Sequence, residues 1–501
     1  MVHRIFPHTF LWHDYETFGA NPRRDRPAQF AAIRTDADLN QVDETLMLYC
    51  QPAPDFLPDP QSCLITGITP QQCLKLGFPE AQFAAQIEQV LGQENTIGVG
   101  YNTIRFDDEI TRFMLWRNLL EPYAREWQNG CGRWDLLDVV RTAYALRPEG
   151  IQWPVKPDGI PSFRLGDLAA ANGLLHESAH DALSDVRATI ALARLLKQSQ
   201  PRLFEFCFTL HRKDRVMAEL GLPGRAHTLR PFWHVSGMFS MQQGCLALMW
   251  PLAMHPHNKN ELLAWDLSHD PRILADLNAD AIRLRLFTRS ADLPEGVSRL
   301  PLKSIHLNRS PMVFSNLRVV TEAMAERWGL NIPAQLAHAD HAQALPDMSA
   351  IWPAVFARPA APALDVDEDL YGGFVNDHDR RRLNEFRALE PAVMALRRMS
   401  FDDARLSELC FRYRARNYPM TLSTLEATQW QGHCADRVLH GLDGARSVVQ
   451  LQAEVAALSE TASERDAEIL QNLLDYAHSL VERLTPGFET PAAQPTPLRR
   501  E

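Results

Sequence analysis

The 501-residue chain has little that is typical of a secreted, membrane-spanning or repeat protein. Its first 16 residues contain no apolar core of the signal-peptide type. The longest apolar run, residues 245–254, is too short to span a bilayer and contains Pro251. No internal repeat is evident, and the eight cysteines form neither a CxxC pair nor a zinc-like spacing. We therefore expect reduced thiols and a cytoplasmic protein without a membrane segment.

The chain also lacks a positive net charge, because 51 Lys and Arg stand against 62 Asp and Glu, giving −11. This does not exclude a nucleic-acid partner, since affinity depends on the local field along the bound strand. Acid is concentrated at 365–369 (DVDED), whereas 411–419 (FRYRARNYP) contains none. Arginines that hold phosphates and aromatics that stack bases suit single strands. The pattern leaves a solvated helix with a few buried rings equally open.

An acidic pair ends an apolar strand pattern near the start of the chain. Residues 9–17 (TFLWHDYET) are rich in aromatic and β-favouring residues, which predicts a strand. Side chains alternate along a strand, so Phe10, Trp12, Asp14 and Glu16 share one face. A buried pair of like charges needs a counter-charge, and a divalent cation can supply it. The alternative for this block alone is a solvated strand end.

A second block places acids at the start of a predicted helix. An apolar strand at 96–101 precedes a helix that begins near Phe106, which puts Asp107 in its first turn. Asp108 and Glu109 share that turn, so spacing does not decide which acid points inward. Taken alone, Asp107 is better explained as a helix cap or first-turn acid.

A third block combines a histidine with an acid. The pattern predicts a helix over 182–197, with Asp185 in its first turn and His180 just before it. Imidazole titrates near neutral pH, which suits a general base. A lone histidine would more often be a surface residue, so the interpretation depends on the other blocks.

Together the three blocks predict a site that hydrolyses phosphodiester bonds. Asp14, Glu16, Asp107 and Asp185 would hold two divalent ions, Mg²⁺ or in its place Mn²⁺, because both prefer oxygen ligands. His180 would remove the proton of the attacking water.

The order DxE, N-x3-FD and H-x4-D resembles the DEDDh branch of the DnaQ-like 3′→5′ exonucleases. Longer blocks, HDYETFG, DRPAQFAAIRTD, RWDLLDVVR, YALRPEGI, HVSGMF and YRARNYP, resemble the bacterial exodeoxyribonuclease I family from about residue 10 to residue 420. The resemblance implies processive 3′→5′ hydrolysis of single-stranded DNA to 5′-mononucleotides, in DNA repair and recombination. It also implies a monomer that binds the acidic C-terminal tail of single-stranded DNA-binding protein.

The resemblance further implies which side chains contact the strand. LITGITPQ resembles the segment that packs on the terminal nucleotide, which implicates Thr66 beside Glu16, and Arg164 is implied as a phosphate contact. Strand contacts are also implied at residues outside the acidic motifs, namely Arg112, Tyr123, Trp127 and Arg141. The FRYRARNYP block adds Arg414 and Arg416.

The first two parts of the chain are predicted to be an α/β domain and a β-containing domain. Residues 12–198 alternate strands and helices, and the resemblance implies an RNase H-like exonuclease domain with a mixed sheet flanked by helices. A break at Gln200-Pro201 leads into 201–355, where short β-like runs occur at 245–250, 261–267 and 302–307. The resemblance implies an SH3-like β-barrel in this part.

The last part is predicted to be helical. A proline-rich and then acidic linker opens residues 359–485, whose apolar periodicity is clearest at 382–398 and 446–484. Residues 486–501 hold four prolines and little to bury, so we expect a disordered tail.

Two other functions stay open at this point. One is a related exonuclease that trims RNA ends or proofreads a polymerase. The other is a non-catalytic single-strand-binding scaffold, although all five predicted catalytic positions are filled, which argues against it.

Overall fold

The computed structural model of the protein describes residues 8–174, 181–224, 228–357 and 364–485. The predicted base His180 and the predicted tail, 486–501, lie outside the described residues. Within those ranges no helix has the length and apolar character needed to cross a membrane. All eight cysteines are buried and carry free thiols.

The first sheet is mixed, with strand order β3-β2-β1-β4-β5. Its strands are β1 Thr9–Thr17, β2 Pro27–Thr35, β3 Leu46–Tyr49, β4 Thr96–Gly100 and β5 Gly132–Asp135. Strands β1, β2 and β3 pair antiparallel, whereas β4 and β5 join parallel to β1 after helical crossovers. The strand predicted at 9–17 is confirmed and lies at the centre of the sheet.

Helices cover both faces of this sheet. The α-helices between residues 60 and 219 are α1 Pro60–Thr66, α2 Pro70–Leu76, α3 Glu80–Leu91, α4 Asp107–Arg117, α5 Leu136–Leu146, α6 Leu165–Ala171, α7 Ala182–Ser199, α8 Pro201–Thr209 and α9 Lys213–Glu219. On one face of β1, Phe10 and Trp12 share a core with α5 and α7. On the other face, Leu11 and Tyr15 share a core with α3 and α4. Because both faces are buried, β1 can present polar groups only where it leaves the core.

A second sheet of five antiparallel strands follows, with order β10-β6-β7-β8-β9. Its strands are β6 Phe232–Val235, β7 Leu246–Met254, β8 Glu261–Asp266, β9 Leu302–His306 and β10 Met312–Phe314, accompanied by α10 Ala279–Phe287, α11 Glu322–Arg327, α12 Ile332–Gln343 and α13 Trp352–Val355. The three predicted β-like runs correspond to β7, β8 and β9. Pro201 opens α8, and Phe204 of this helix belongs to the same buried cluster as Trp134 and Trp265. The core therefore continues across the predicted break.

The C-terminal part is helical, with α14 Asp377–Arg387, α15 Pro391–Leu396, α16 Arg405–Asn417, α17 Thr424–Val438, α18 Val448–Ser459 and α19 Glu464–Leu484. Each predicted periodic run is two helices, because Pro391 opens α15 and Ser463 caps α19. Helices α16 to α19 pack on Phe18, Phe56 and Ile68 of the first part. The C-terminal helices thus share a core with the α/β part.

Candidate active site

Strand β1 carries its two acids beyond the end of its parallel pairing. That pairing with β4 stops at Trp12, so the backbone N–H of Tyr15 needs another acceptor. Asp107 Oδ1 accepts from this N–H at 3.2 Å. The Thr111 hydroxyl lies 3.0 Å from Tyr15 Oη and 2.8 Å from the Asp107 carbonyl oxygen. These contacts hold the first turn of α4 against the polar end of β1.

The same contacts decide which acid of the first turn of α4 faces the site. Asp107 is buried and bonded to β1. Asp108 points the other way and forms ion pairs with Arg125 at 2.6 Å and Arg133 at 2.9 Å. Glu109 is bound to Arg112 at 2.6 Å. The alternative left open by the sequence is therefore resolved in favour of Asp107.

Helix α7 brings the third block to the same place. Asp181 caps it and accepts from the Ser184 N–H at 3.2 Å, and the Ala182 N–H donates to Gln29 Oε1 at 3.3 Å. Gln29 lies opposite Glu16 in the β1–β2 register, so the helix start is fixed beside the acidic pair.

The carboxylates of β1 and α7 form one cluster. Ligand oxygens of Asp14, Glu16 and Asp185 all lie within 4.8 Å of one another. Asp107 lies beside them. After burial, the charge of Asp107 is the largest cause of the raised pKa of Asp14.

Burial and mutual repulsion raise the pKa values in this cluster. Burial, then the charges of Asp107, Glu16 and Asp185, raises the pKa of Asp14 well above its usual range. Burial and the charge of Asp185 raise the pKa of Glu16 to about 8. Burial and the charge of Asp108 raise the pKa of Asp107 to about 8. Crowded carboxylates of this kind are costly to ionise without a positive charge.

The donor set fits a divalent cation. Within the described residues, neither Asp14 nor Glu16 has an arginine or lysine partner. The ligand atoms are all carboxylate oxygens, which Mg²⁺, Mn²⁺ and other hard cations prefer. A bound cation would lower the cost of ionising these acids, and the cluster is therefore built to receive one.

Sequence reasoning missed two residues that support the cluster. Asp181 adds its charge to those that raise the pKa values of Asp14 and Glu16, in addition to capping α7. Its position directly before the helix in HDALSD was the available signal, since Asp is a preferred cap. Gln29 carried no such signal, because only the sheet register places it opposite Glu16.

Known proteins match the chain over almost its whole length. Family models described as Exonuclease, Exonuclease I SH3-like domain and Exonuclease I C-terminal domain match residues 11–193, 211–358 and 364–480. Exodeoxyribonuclease I of Escherichia coli K12 is 45% identical over 427 residues, covering 85% of this chain and 89% of that protein. The Haemophilus influenzae protein is 40% identical over 478 residues, covering 94% and 99% respectively.

The chain belongs to the exonuclease I family.

Solved exonuclease I structures share the fold. The protein from Methylocaldum szegediense has a TM-score of 0.89 at 44% identity, and its comparison covers 95% of this chain and 100% of that chain. Escherichia coli exonuclease I with a dA16 oligonucleotide has a TM-score of 0.87 at 41% identity with the same coverage. The family resemblance and the expected fold class are confirmed: an α/β exonuclease fold, an SH3-like part and a helical C-terminal part.

Four of the strand contacts expected from the exonuclease I resemblance are at least partly accessible. Arg164 is exposed before α6, and its guanidinium makes no hydrogen bond or ion pair with the described part of the chain. Trp127 is 67% exposed. Tyr123 and Thr66 are half-buried, and the Thr66 hydroxyl accepts from the Ile68 N–H at 3.2 Å. These four stay predictions as strand contacts.

Arg141 is held against the HVSGMF segment. Its Nη1 donates to Asp138 Oδ1 at 2.6 Å. A Cβ at Gly237 would lie 2.6 Å from its guanidinium carbon, so a side chain at this position would displace the Arg141 guanidinium. Arg141 as a strand contact also stays a prediction.

Three arginines expected to contact the strand hold protein acids in the structure. Arg112 is buried and donates to Glu126 and Glu109. Arg414 is buried and bound to Glu426, and Arg416 is buried between Asp55 and Asp367. Their guanidiniums are directed at carboxylates inside the protein, and as strand contacts Arg112, Arg414 and Arg416 also stay predictions. The FRYRARNYP block itself contains no acid, so the sequence around Arg414 and Arg416 did not indicate their partners.

Proposed function

We propose that the chain is an exodeoxyribonuclease that hydrolyses single-stranded DNA processively from the 3′ end and releases 5′-mononucleotides. The observation that carries this is the cluster of Asp14, Glu16 and Asp185, whose ligand oxygens lie within 4.8 Å of one another with Asp107 beside them. Structures of Escherichia coli exonuclease I with dA16 and dT13 oligonucleotides, at 41% and 42% identity to this chain, support the choice of substrate.

We infer that the cluster holds two Mg²⁺ ions, for which Mn²⁺ can substitute, through Asp14, Glu16, Asp107 and Asp185. A zinc-bound complex of the Escherichia coli protein with single-stranded DNA supports a divalent-ion site. When bound, such ions favour deprotonation of the attacking water and stabilise charge on the phosphoryl oxygens.

The remaining chemistry is assigned to side chains near the start of α7 and before α6. His180 is proposed to accept the proton of the attacking water. Asp181 caps α7 and so fixes the turn that carries Asp185. Arg164, exposed and unengaged within the described residues, is proposed to hold the phosphate at the scissile bond.

We also infer the setting in which the enzyme acts. A solved complex of exonuclease I with SSB-Ct, 40% identical to this chain, supports binding to the C-terminal tail of single-stranded DNA-binding protein. DNA repair and recombination, a cytoplasmic location and a monomeric state are assigned with the family.

Digestion of end-labelled strands tests the proposal. A single-stranded DNA labelled at its 5′ end should shorten progressively in Mg²⁺, while the same strand labelled at its 3′ end should release a labelled mononucleotide at once. EDTA should stop both reactions, and an RNA strand of the same sequence should be degraded far more slowly. Internal cuts, or equal degradation of RNA, would contradict the assignment. Strand binding without cleavage in Mg²⁺ or Mn²⁺ would indicate a non-catalytic scaffold.

A further inference from the structure

A group of buried charges lies next to the acid that α4 contributes to the active-site cluster. Its centre is Asp108, the residue after Asp107, which is completely buried. Arg125, from the short turn Ala124–Glu126, places Nη2 2.6 Å from Asp108 Oδ1, and Arg133 of β5 places Nη1 2.9 Å from Asp108 Oδ2. We call Asp108, Arg125 and Arg133 the Asp108 triad. Each carboxylate oxygen of Asp108 has its own arginine, which fixes the direction of this side chain.

The direction of Asp108 constrains that of Asp107, because both side chains leave the same helical turn. Successive residues of an α-helix are rotated by about 100° about its axis, so fixing one of them fixes the direction in which the next one leaves the helix. Asp107 itself is held to β1 by one hydrogen bond, from the Tyr15 N–H at 3.2 Å. Asp108 makes two shorter bonds to charged donors, and these are the stronger restraint on the turn.

Arg125 also lies beside the strand that carries Asp14. His13 precedes Asp14 on β1, and its ring is on the opposite face of the strand because side chains alternate. A Cβ at Gly98 of β4 would lie 3.6 Å from Arg125 Nη1 and 3.8 Å from His13 Nε2, so both groups border this glycine. The guanidinium of Arg125 therefore lies close to the residue directly before Asp14 as well as to the residue directly after Asp107.

Several elements anchor the triad. Arg133 Nη2 donates to the Asn308 carbonyl, in the loop after β9, at 3.2 Å and lies 3.3 Å from Glu126 Oε2. Glu126 in turn accepts from Nε and Nη2 of Arg112 on α4, at 2.7 and 2.8 Å. The triad is therefore held by α4, β5, the turn before β5 and the loop after β9 together.

The opposite end of α4 carries a buried ion pair that lies far from Asp107. Arg117 Nη2 lies 2.6 Å from Glu80 Oε1, and both side chains are almost fully buried. Arg117 is ten residues from Asp107, which is about 15 Å along the helix. This pair joins α4 to α3. It matches the pair of Arg125 with Asp108 in burial and in bond length, and so provides a control for the loss of a buried ion pair.

We propose that Arg125 is a positioning residue for metal binding, because it fixes Asp108 from the interior and so keeps Asp107 directed into the active-site cluster. This inference rests on the proposed function. Arg125 is only 3% exposed and cannot itself contact the strand, so its effect is on metal affinity and not on DNA affinity. Residues that orient metal ligands change metal affinity or activity by about 10–100-fold when they are replaced.

Mn²⁺ binding in the absence of DNA tests the proposal. Free Mn²⁺ is measured by electron paramagnetic resonance for the parent, Arg125→Met and Arg117→Met, and stability is measured by urea unfolding in EDTA. Both variants should be less stable than the parent. Arg125→Met should bind Mn²⁺ about 10-fold more weakly or worse, whereas Arg117→Met should keep the parent's affinity. Arg125→Lys, which keeps a positive charge beside Asp108, should bind more tightly than Arg125→Met.

The sign of the change separates positioning from simple electrostatics. Loss of a positive charge near the cluster would by itself favour a cation, so unchanged or tighter Mn²⁺ binding by Arg125→Met would overturn the proposal. If Arg125→Met does not fold, Arg125→Lys decides, because lysine cannot reproduce the fork geometry of arginine and should bind Mn²⁺ several-fold more weakly than the parent. An affinity equal to the parent's would then overturn the proposal.

Digestion of a single strand gives a second measurement. Single-turnover cleavage by Arg125→Met should be slow at low Mg²⁺ and should approach the parent's rate as Mg²⁺ is raised, while strand affinity in EDTA stays that of the parent. A rate deficit that no Mg²⁺ concentration reduces would contradict an effect through metal affinity. If the parent binds Mn²⁺ but cleaves no strand, the proposed function itself fails, which is a separable result.

Discussion

Two groups of buried acids in this molecule have pKa values that are shifted in opposite directions. In the active-site cluster, burial and neighbouring carboxylates raise the pKa of Glu16 to about 8. At the junction with the C-terminal helices, Asp55 is equally buried, and burial alone would raise its pKa. The Arg416 guanidinium, followed by His433 and Arg26, outweighs burial and holds that pKa well below its usual range. The arginines also hold the pKa of Asp367 below its usual range.

The difference lies in the counter-charge. Asp55 and Asp367 receive theirs from the protein, with Arg416 Nη2 2.7 Å from Asp55 Oδ2. Asp14 and Glu16 receive none from arginine or lysine within the described residues. A buried acid with a built-in partner fixes two parts of the chain together, whereas a buried acid without one is a receptor for an external cation. Buried acids therefore hold two parts of the chain together at the junction, whereas in the active-site cluster they form the proposed metal site.

Removing a ligand from the active-site cluster should have the largest effect. Asp14→Asn should lower the cleavage rate by about 10³-fold or more, since a metal site supplies several kcal/mol of transition-state stabilisation. The free energy of unfolding without metal should not fall, because repulsion within the cluster is relieved. Single-turnover digestion and urea unfolding measure the two effects. Asp38→Asn, an exposed acid, is the control and should change neither.

Removing the partner from the paired group should act on stability instead. Arg416→Ala leaves Asp55 and Asp367 buried with less counter-charge, which should cost about 3–5 kcal/mol of unfolding free energy. Arg272→Ala, which breaks an exposed ion pair with Asp270, should leave stability unchanged. Urea unfolding compares the variants. If Arg416→Ala is as stable as the parent but binds DNA with a smaller salt dependence, Arg416 contacts the strand and does not stabilise the junction.

The raised pKa values predict how the metal-free protein responds to alkali. Glu16 and Asp107 keep protons in the folded state up to about pH 8 but lose them near pH 4 when unfolded. The folded state therefore binds more protons between these values, and stability should fall as pH rises, by about 1.4 kcal/mol per pH unit for each proton. Thermal melts in EDTA from pH 5 to 8 measure this. Glu16→Gln should flatten the decline, and Mg²⁺ should offset it; a parent whose stability rises over this range would contradict the assigned shifts.

The lowered pKa values predict the opposite slope in acid, with a smaller effect in the accessible range. Asp55 and Asp367 stay ionised in the folded state below the pH at which they protonate when unfolded. Their contribution is present above about pH 4 and is lost as pH falls through the folded-state values. Melts from pH 4 to 3 should show stability falling in the parent. Asp55→Asn, less stable at pH 5, should show a shallower decline.

Local patterns predicted the elements that carry the site. Alternation in TFLWHDYET predicted both the strand and the face that Asp14 and Glu16 share. Apolar spacing predicted the start of α7, where Asp185 lies. The short strands β6 and β10 were missed, because four and three residues hold too little alternation to distinguish them from a loop. Helices at 382–398 and 446–484 were each predicted too long, since apolar periodicity continues across Pro391 and Ser463.

The sequence by itself determined the family, the order of the acidic blocks and the elements on which they lie, because these depend on residue type and short-range spacing. Only the tertiary structure decided which charges meet. Asp107 rather than Asp108 faces the cluster because its carboxylate accepts a hydrogen bond from the N–H of Tyr15, 92 residues away. Arg416 holds Asp55 from 361 residues away and Asp367 from 49. The energy of a buried charge depends on neighbours in space, and spacing along the chain does not record them.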